Sequence, residues 1–130
     1  MDLEMKILLV EDNIEDAAVT KRVLLHNKLN GGLVIAASGK KALAALQNRA
    51  MADLPQLILL DINLPDISGI DLLTSIKKDK NLSNIPVVIL TGSNEDQDIQ
   101  KSYDLGAGSY LVKPISNDAL VLVIEKLFYP

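Results

Sequence analysis

Four of the five short apolar runs in this chain end in residues capable of chemistry. MKILLV (Met5–Val10) runs into Glu11 and Asp12. LILL (Leu57–Leu60) runs into Asp61. VVIL (Val87–Leu90) runs into Thr91 and Gly92, and SYLV (Ser109–Val112) runs into Lys113 and Pro114. Only LVIAA (Leu33–Ala37) lacks such an ending. Three carboxylates brought together would repel and raise one another's pKa unless a cation compensates them. Oxygen ligands without His or Cys select a hard divalent ion, Mg²⁺ or Mn²⁺, and two or three carboxylates plus waters suit Mg²⁺. A carboxylate beside such an ion is also a nucleophile for phosphoryl transfer. Glu11, Asp12, Asp61, one Mg²⁺ and Lys113 sum to zero charge. Phosphorylating Asp61 would leave the group near −1, because an aspartyl phosphate carries about −2. Lys113 and the Thr91 hydroxyl would then hold phosphoryl oxygens.

Each residue has a plainer explanation when taken alone. Asp12 is a natural helix N-cap. Asp61 ahead of Asn63 and Pro65 could be turn chemistry, and Thr91-Gly92 and Lys113-Pro114 are common in loops. The joint placement at four strand ends outweighs these separate readings.

The elements that must position these residues are legible in the hydrophobic pattern. The apolar runs are near-continuous rather than alternating, as expected for parallel strands covered on both faces. Between them lie stretches long enough for crossover helices: Ile14–Leu29, Lys40–Arg49, Ile70–Lys78, Glu95–Leu105 and Asp118–Phe128. Candidate N-caps are Asp12 or Asn13, Ser38, Ser68, Asn94, and Ser116 or Asn117, with Gly106 as a left-handed C-cap of the fourth helix. Pro86 opens the fourth strand, where a missing N–H is tolerated. The alternation βαβαβαβαβα predicts an α/β fold, a doubly wound parallel sheet of five strands. Ligands in such sheets bind beyond the carboxyl ends of the strands, where the polar residues gather.

Composition narrows the function classes. The 130 residues fit one domain, 1–130, able to bury roughly two-thirds of its unfolded surface without a staple. Cysteine is absent, which removes disulfides, thiolate metal sites and cysteine nucleophiles. The formal net charge of −4, with no more than two Lys or Arg in a row, lacks the footprint of a nucleic-acid binder. No apolar stretch is long enough to span a bilayer, so a cytoplasmic protein without membrane contact is expected. His26, the single histidine, falls in the first helix beside Lys21, Arg22 and Lys28 and suits no base, metal or phosphodonor role.

With these residues in view, the chain resembles the receiver domain of two-component response regulators. The resemblance rests on LLVEDN, LLDINLPDISG, VVILTGS and YLVKP, and it spans essentially the whole sequence. It implies the flavodoxin-like, CheY-like fold with strand order 2-1-3-4-5. It implies Asp61 as phosphoacceptor, Asp12 as a direct Mg²⁺ ligand, Glu11 as one acting through water, and the Asn63 carbonyl as a further ligand. Thr91 is the implied switch hydroxyl, Lys113 the phosphate-binding lysine in a cis peptide with Pro114, and Tyr110 the switch aromatic. Glu at position 11, in place of Asp, lies within the family's range. The implied donor is a sensor histidine kinase or histidine phosphotransfer protein. VEDNIED and SYDLGAGSYLVKP are similar to the single-domain group that partners bacterial phytochromes.

The resemblance implies a signalling switch in a phosphorelay rather than an enzyme with a separate substrate. A pseudo-receiver that binds partners unphosphorylated is the main alternative. A haloacid-dehalogenase-type phosphatase would want an acid where Asn63 stands, and a flavodoxin-like carrier would not place Glu11-Asp12-Asn13 where a phosphate binds. In the last helix Leu120, Val123, Ile124 and Leu127 should face the sheet. Leu122 and Tyr129 fall opposite, flanked by Val121 and Phe128, so the last helix and fifth strand are expected to form a homodimer or partner surface. Two expectations stand for the whole protein, a single-domain regulator that acts by protein contacts or a fragment of a longer regulator, and the Met1 start with no trailing linker favours the first.

Overall fold

The computed structural model describes residues 5–29, 31–47, 53–93 and 97–129. Five strands, β1 (Ile7–Val10), β2 (Leu33–Ala36), β3 (Leu57–Asp61), β4 (Val87–Thr91) and β5 (Ser109–Val112), alternate with five helices. The helices are α1 (Ile14–His26), α2 (Gly39–Leu46), α3 (Gly69–Lys78), α4 (Asp98–Asp104) and α5 (Asn117–Phe128). All strand pairs are parallel and the order is β2-β1-β3-β4-β5. This is the doubly wound α/β architecture expected from the alternation.

The unalternating apolar runs have a direct cause: every second residue serves a different core. Leu8, Val10, Ile58, Leu60, Val87 and Ile89 face one cluster, which Ala42, Leu46, Leu72, Leu73 and Ile76 of α2 and α3 complete. Ile7, Leu9, Leu57, Leu59, Val88, Leu90 and Leu111 face the other, closed by Leu24 of α1 and Leu120, Val123 and Ile124 of α5. Burial of both strand faces makes an apolar residue favourable at every position, worth about 2 kcal/mol for each large side chain. The edge strand β2 departs from this expectation. Val34 and Ile35, on opposite faces of the sheet, are 44% and 43% exposed, because β2 is an edge strand with a neighbour on one side only.

Side-chain caps set the helix starts. Asn13 Oδ1 accepts the Asp16 N–H at 2.9 Å, so Asn13 rather than Asp12 caps α1. Ser38, Ser68 and Ser116 accept from Lys41, Asp71 and Ala119 in the same way. Asn94, the expected fourth cap, lies outside the described residues, as do Glu95 and Arg49 at the expected ends of two helices. The helix α1 stops at His26, short of Leu29, because Lys28 takes a left-handed φ of 58°. The Leu29 and Lys28 N–H groups then close back on the Leu24 and Leu25 carbonyls at 2.9 and 3.0 Å. Gly106 (φ 105°) does the same for α4, with Ala107 N–H bonded to Ser102 O at 2.9 Å.

Among the described residues no helix is long and apolar enough to cross a membrane. His26 is exposed in the last turn of α1.

Candidate functional site

The strand order decides which side chains can meet. β1 and β3 are neighbours with Val10 level with Leu60, so the next residue on each, Glu11 and Asp61, stand side by side. From β1 the chain leaves outward to β2 and returns to β3 on the other side, and this reversal opens the crevice between their carboxyl ends. Asp61 and Thr91 are the last residues of their strands and fully within the sheet.

Glu11, Asp12 and Asp61 each offer a carboxylate oxygen within 4.8 Å of the others. Glu11 and Asp61 are buried, 2% and 3% exposed, while Asp12 is open to solvent. Two buried carboxylates and one exposed one, all oxygen donors at this spacing, suit a hard divalent cation with an open side for water.

The Asp61 carboxylate is held at both oxygens. Oδ1 accepts the Asn63 backbone N–H at 2.9 Å, and Oδ2 accepts from Lys113 Nζ at 3.2 Å. Gly69 makes room behind it: a Cβ there would lie 2.6 Å from the Asp61 carbonyl oxygen and from Ile62 Cα. Lys113 follows β5, and the Lys113–Pro114 peptide is cis. Its ammonium also donates to Glu11 Oε1 and to Asp16 Oδ2, each at 3.0 Å.

Asp16 was not among the residues picked out by sequence. Its signal lay in the second acidic pair of VEDNIED, but one turn into a helix an acid reads first as a capping partner. It brings a fourth carboxylate to the group, so the charge sum with Mg²⁺ is −1 rather than zero.

The electrostatics follow from this crowding. Burial pushes the Glu11 carboxyl up to about 7, and the adjacent Asp61 adds to the rise while Lys113 opposes it. Burial would depress the Lys113 ammonium, but its bonds to Glu11 and Asp16 and the charge of Asp61 outweigh that and hold it above the usual lysine value. Near neutral pH a single ammonium thus faces three carboxylates, one of them poised to hold a proton.

Thr91 is buried at the end of β4, and its hydroxyl donates to the Ser93 carbonyl at 3.1 Å. Gly92 beside it is exposed, and a Cβ there would meet nothing within 4 Å. Tyr110 is half-buried on β5, its ring edge-on to Tyr103 of α4 with centroids 6.3 Å apart. Asp66, in the loop after β3, accepts the Lys40 and Gly39 N–H groups at 2.9 Å each, which lowers its pKa and ties that loop to the start of α2. The structure therefore places Glu11, Asp12, Asp61 and Lys113 in one cluster. The Asn63 backbone joins it, Thr91 stands at the neighbouring strand end, and Tyr110 lies one strand further out.

Residues 7–125 match the response regulator receiver domain family. The chain belongs to that family. The response regulator Rcp1 of Synechocystis sp. is 40% identical over 110 residues, covering 82% of this chain and 75% of that protein. The bacteriophytochrome response regulator AtBRR superposes with a TM-score of 0.84 at 36% identity, over 95% of this chain and 91% of its own. A phosphorylated cyanobacterial phytochrome response regulator, RcpA, gives 0.80 at 35% identity, over 97% and 96%. A crystal structure of Rcp1 holds Mn²⁺ and gives 0.77 at 37% identity, over 96% and 94%. The phytochrome-associated receivers are thus among the relatives of this chain, as VEDNIED and SYDLGAGSYLVKP suggest.

Proposed function

We propose that residues 1–130 act as one receiver unit in which Asp61 accepts a phosphoryl group from a phosphohistidine. The donor would be a sensor histidine kinase or histidine phosphotransfer protein, of the phytochrome type by likeness to the relatives above. An Asp61 carboxylate oxygen attacks phosphorus, the P–N bond of the donor breaks, and the imidazole leaves with the bonding pair. The reading rests above all on Asp61 itself. It is a buried carboxylate at a strand end, oriented at both oxygens by the Asn63 N–H and Lys113, beside two further carboxylates.

Glu11, Asp12 and Asp61 would hold Mg²⁺, with the Asn63 carbonyl and waters completing its shell. When bound, the ion neutralises phosphoryl charge as it develops. Lys113, already 3.2 Å from Asp61 Oδ2, takes a phosphoryl oxygen. The Thr91 hydroxyl leaves Ser93 to take another. That movement vacates space beside β4, Tyr110 turns inward against it, and the α4–β5–α5 surface changes. This is a signalling switch located in the cytoplasm, and its chemistry is confined to its own phosphorylation and dephosphorylation.

The changed surface carries Leu122 (66% exposed), Tyr129 (57%) and Val112 (37%). We assign it to a homodimer or a protein target through α5 and β5.

Intact mass after incubation with acetyl phosphate and Mg²⁺ tests the reading. One added phosphoryl group is expected, absent in Asp61→Asn and in EDTA. A folded protein that binds Mg²⁺ and gains no mass would instead be a pseudo-receiver that recognises its partner unmodified.

A further inference from the structure

Asp16 lies outside the set of residues assigned above, yet it is built into the cluster by a closed ring of contacts. Glu11 Oε2 accepts the Asn13 N–H at 3.3 Å. Asn13 Oδ1 accepts the Asp16 N–H at 2.9 Å. Asp16 Oδ2 accepts from Lys113 Nζ, which returns to Glu11 Oε1, both at 3.0 Å. The helix start thus fixes the Asp16 backbone relative to Glu11. Its side chain is 42% exposed, whereas those of Glu11 and Asp61 are at 0% and 4%, so it stands at the solvent side of the ammonium.

We propose that Asp16 is a positioning residue: a second station for the Lys113 ammonium when a divalent cation claims Glu11 and Asp61. The inference rests on the receiver reading of the site and deepens it. Without metal, Lys113 is the cation that neutralises Glu11 and Asp61, so it competes with any incoming ion. A site with no other anion would leave the ammonium facing a divalent cation across two shared carboxylates. Asp16 offers it a partner already within hydrogen-bond distance. For a phosphoryl group the same residue acts in the opposite sense. An anion on Asp61 must draw Lys113 away from Asp16, and Asp16 adds a repelling charge.

These two effects have opposite signs, which a merely structural role would not produce. Asp16→Asn removes the charge and the station. Mg²⁺ affinity should fall about three- to fivefold, the scale of a half-exposed ion pair. Affinity for beryllium trifluoride, measured at saturating Mg²⁺ as a stand-in for the phosphoryl group on Asp61, should rise by about the same factor. Asp16→Glu keeps the charge and should return both constants to near the parent values. Titration calorimetry reads the metal and ¹⁹F NMR reads the fluoride adduct, with circular dichroism establishing that each variant is folded.

Opposed shifts in Asp16→Asn, restored in Asp16→Glu, are the expected result. Parallel weakening of both ligands would make Asp16 a brace for the helix start and overturn the proposal, as would unchanged constants or any other pattern. Failure of the unmodified chain to bind either ligand would instead remove the receiver chemistry itself, and is distinguished by occurring without any substitution.

Discussion

The Glu11 carboxyl makes metal-free stability depend on pH in an unusual direction. Most native carboxylates are held below their unfolded pKa and stabilise a protein as pH rises. Glu11 is raised from 4.5 to about 7, chiefly by burial. Between those values the folded chain holds a proton that the unfolded chain releases, so stability falls as pH rises through the window. At ~1.4 kcal/mol for each tenfold change in proton affinity, the loss is about 3 kcal/mol. It begins near pH 4.5 and is complete shortly above pH 7. The assay is urea unfolding followed by far-UV circular dichroism at pH 5, 6, 7 and 8 in EDTA, for the parent chain and Glu11→Gln. The amide of that variant cannot ionise, so the difference between the two chains isolates this carboxyl from His26 and from surface acids. The parent chain should lose about 3 kcal/mol relative to Glu11→Gln between pH 5 and 8. Mg²⁺ should remove most of that difference, because a bound cation favours the ionised form. Parallel curves for the two chains in EDTA would refute the reasoning and mean that Lys113 already keeps Glu11 ionised throughout.

Three further outcomes follow from the geometry. Lys113→Ala leaves buried Glu11 and Asp61 without their cation and should cost the metal-free protein about 3 kcal/mol in urea unfolding, partly recovered by Mg²⁺. Gly69→Ala drives a Cβ to 2.6 Å from the Asp61 carbonyl oxygen and Ile62 Cα, so stability against unfolding should fall by about 2–3 kcal/mol and phosphoryl uptake from acetyl phosphate should slow together with it. Lys28→Gly relieves a left-handed φ of 58° at the end of α1 and should raise stability by about 1 kcal/mol without changing phosphoryl uptake.

Much of the frame was written locally. Serine at positions 38, 68 and 116 caps a helix because its hydroxyl sits within three residues of the N–H it satisfies. Gly106 ends α4 because a left-handed residue costs glycine no Cβ clash. Continuous apolar runs require cover on both faces, and that requirement, with the helices between them, leads to the parallel sheet. Polar residues at the ends of four such runs then share one edge of it, which is why Glu11, Asp12, Asp61, Thr91 and Lys113 could be named together.

Tertiary packing supplied the contacts that no local rule reaches. Lys113 meets Glu11, Asp16 and Asp61 across 102, 97 and 52 residues. Which of several carboxylates an ammonium chooses depends on strand order and on the rotation of α1, and neither is carried by any short segment. Asp16 joined the cluster for this reason, and with it the charge balance changed. The half-exposed Val34 and Ile35 have the same origin: β2 carries an interior composition, and only its place at the edge of the sheet leaves it uncovered. Local chemistry along the chain thus set which elements form and which residue types stand at their ends. The packing of those elements determined which charges touch, because electrostatic partnership depends on distances of a few ångströms between residues far apart in the chain.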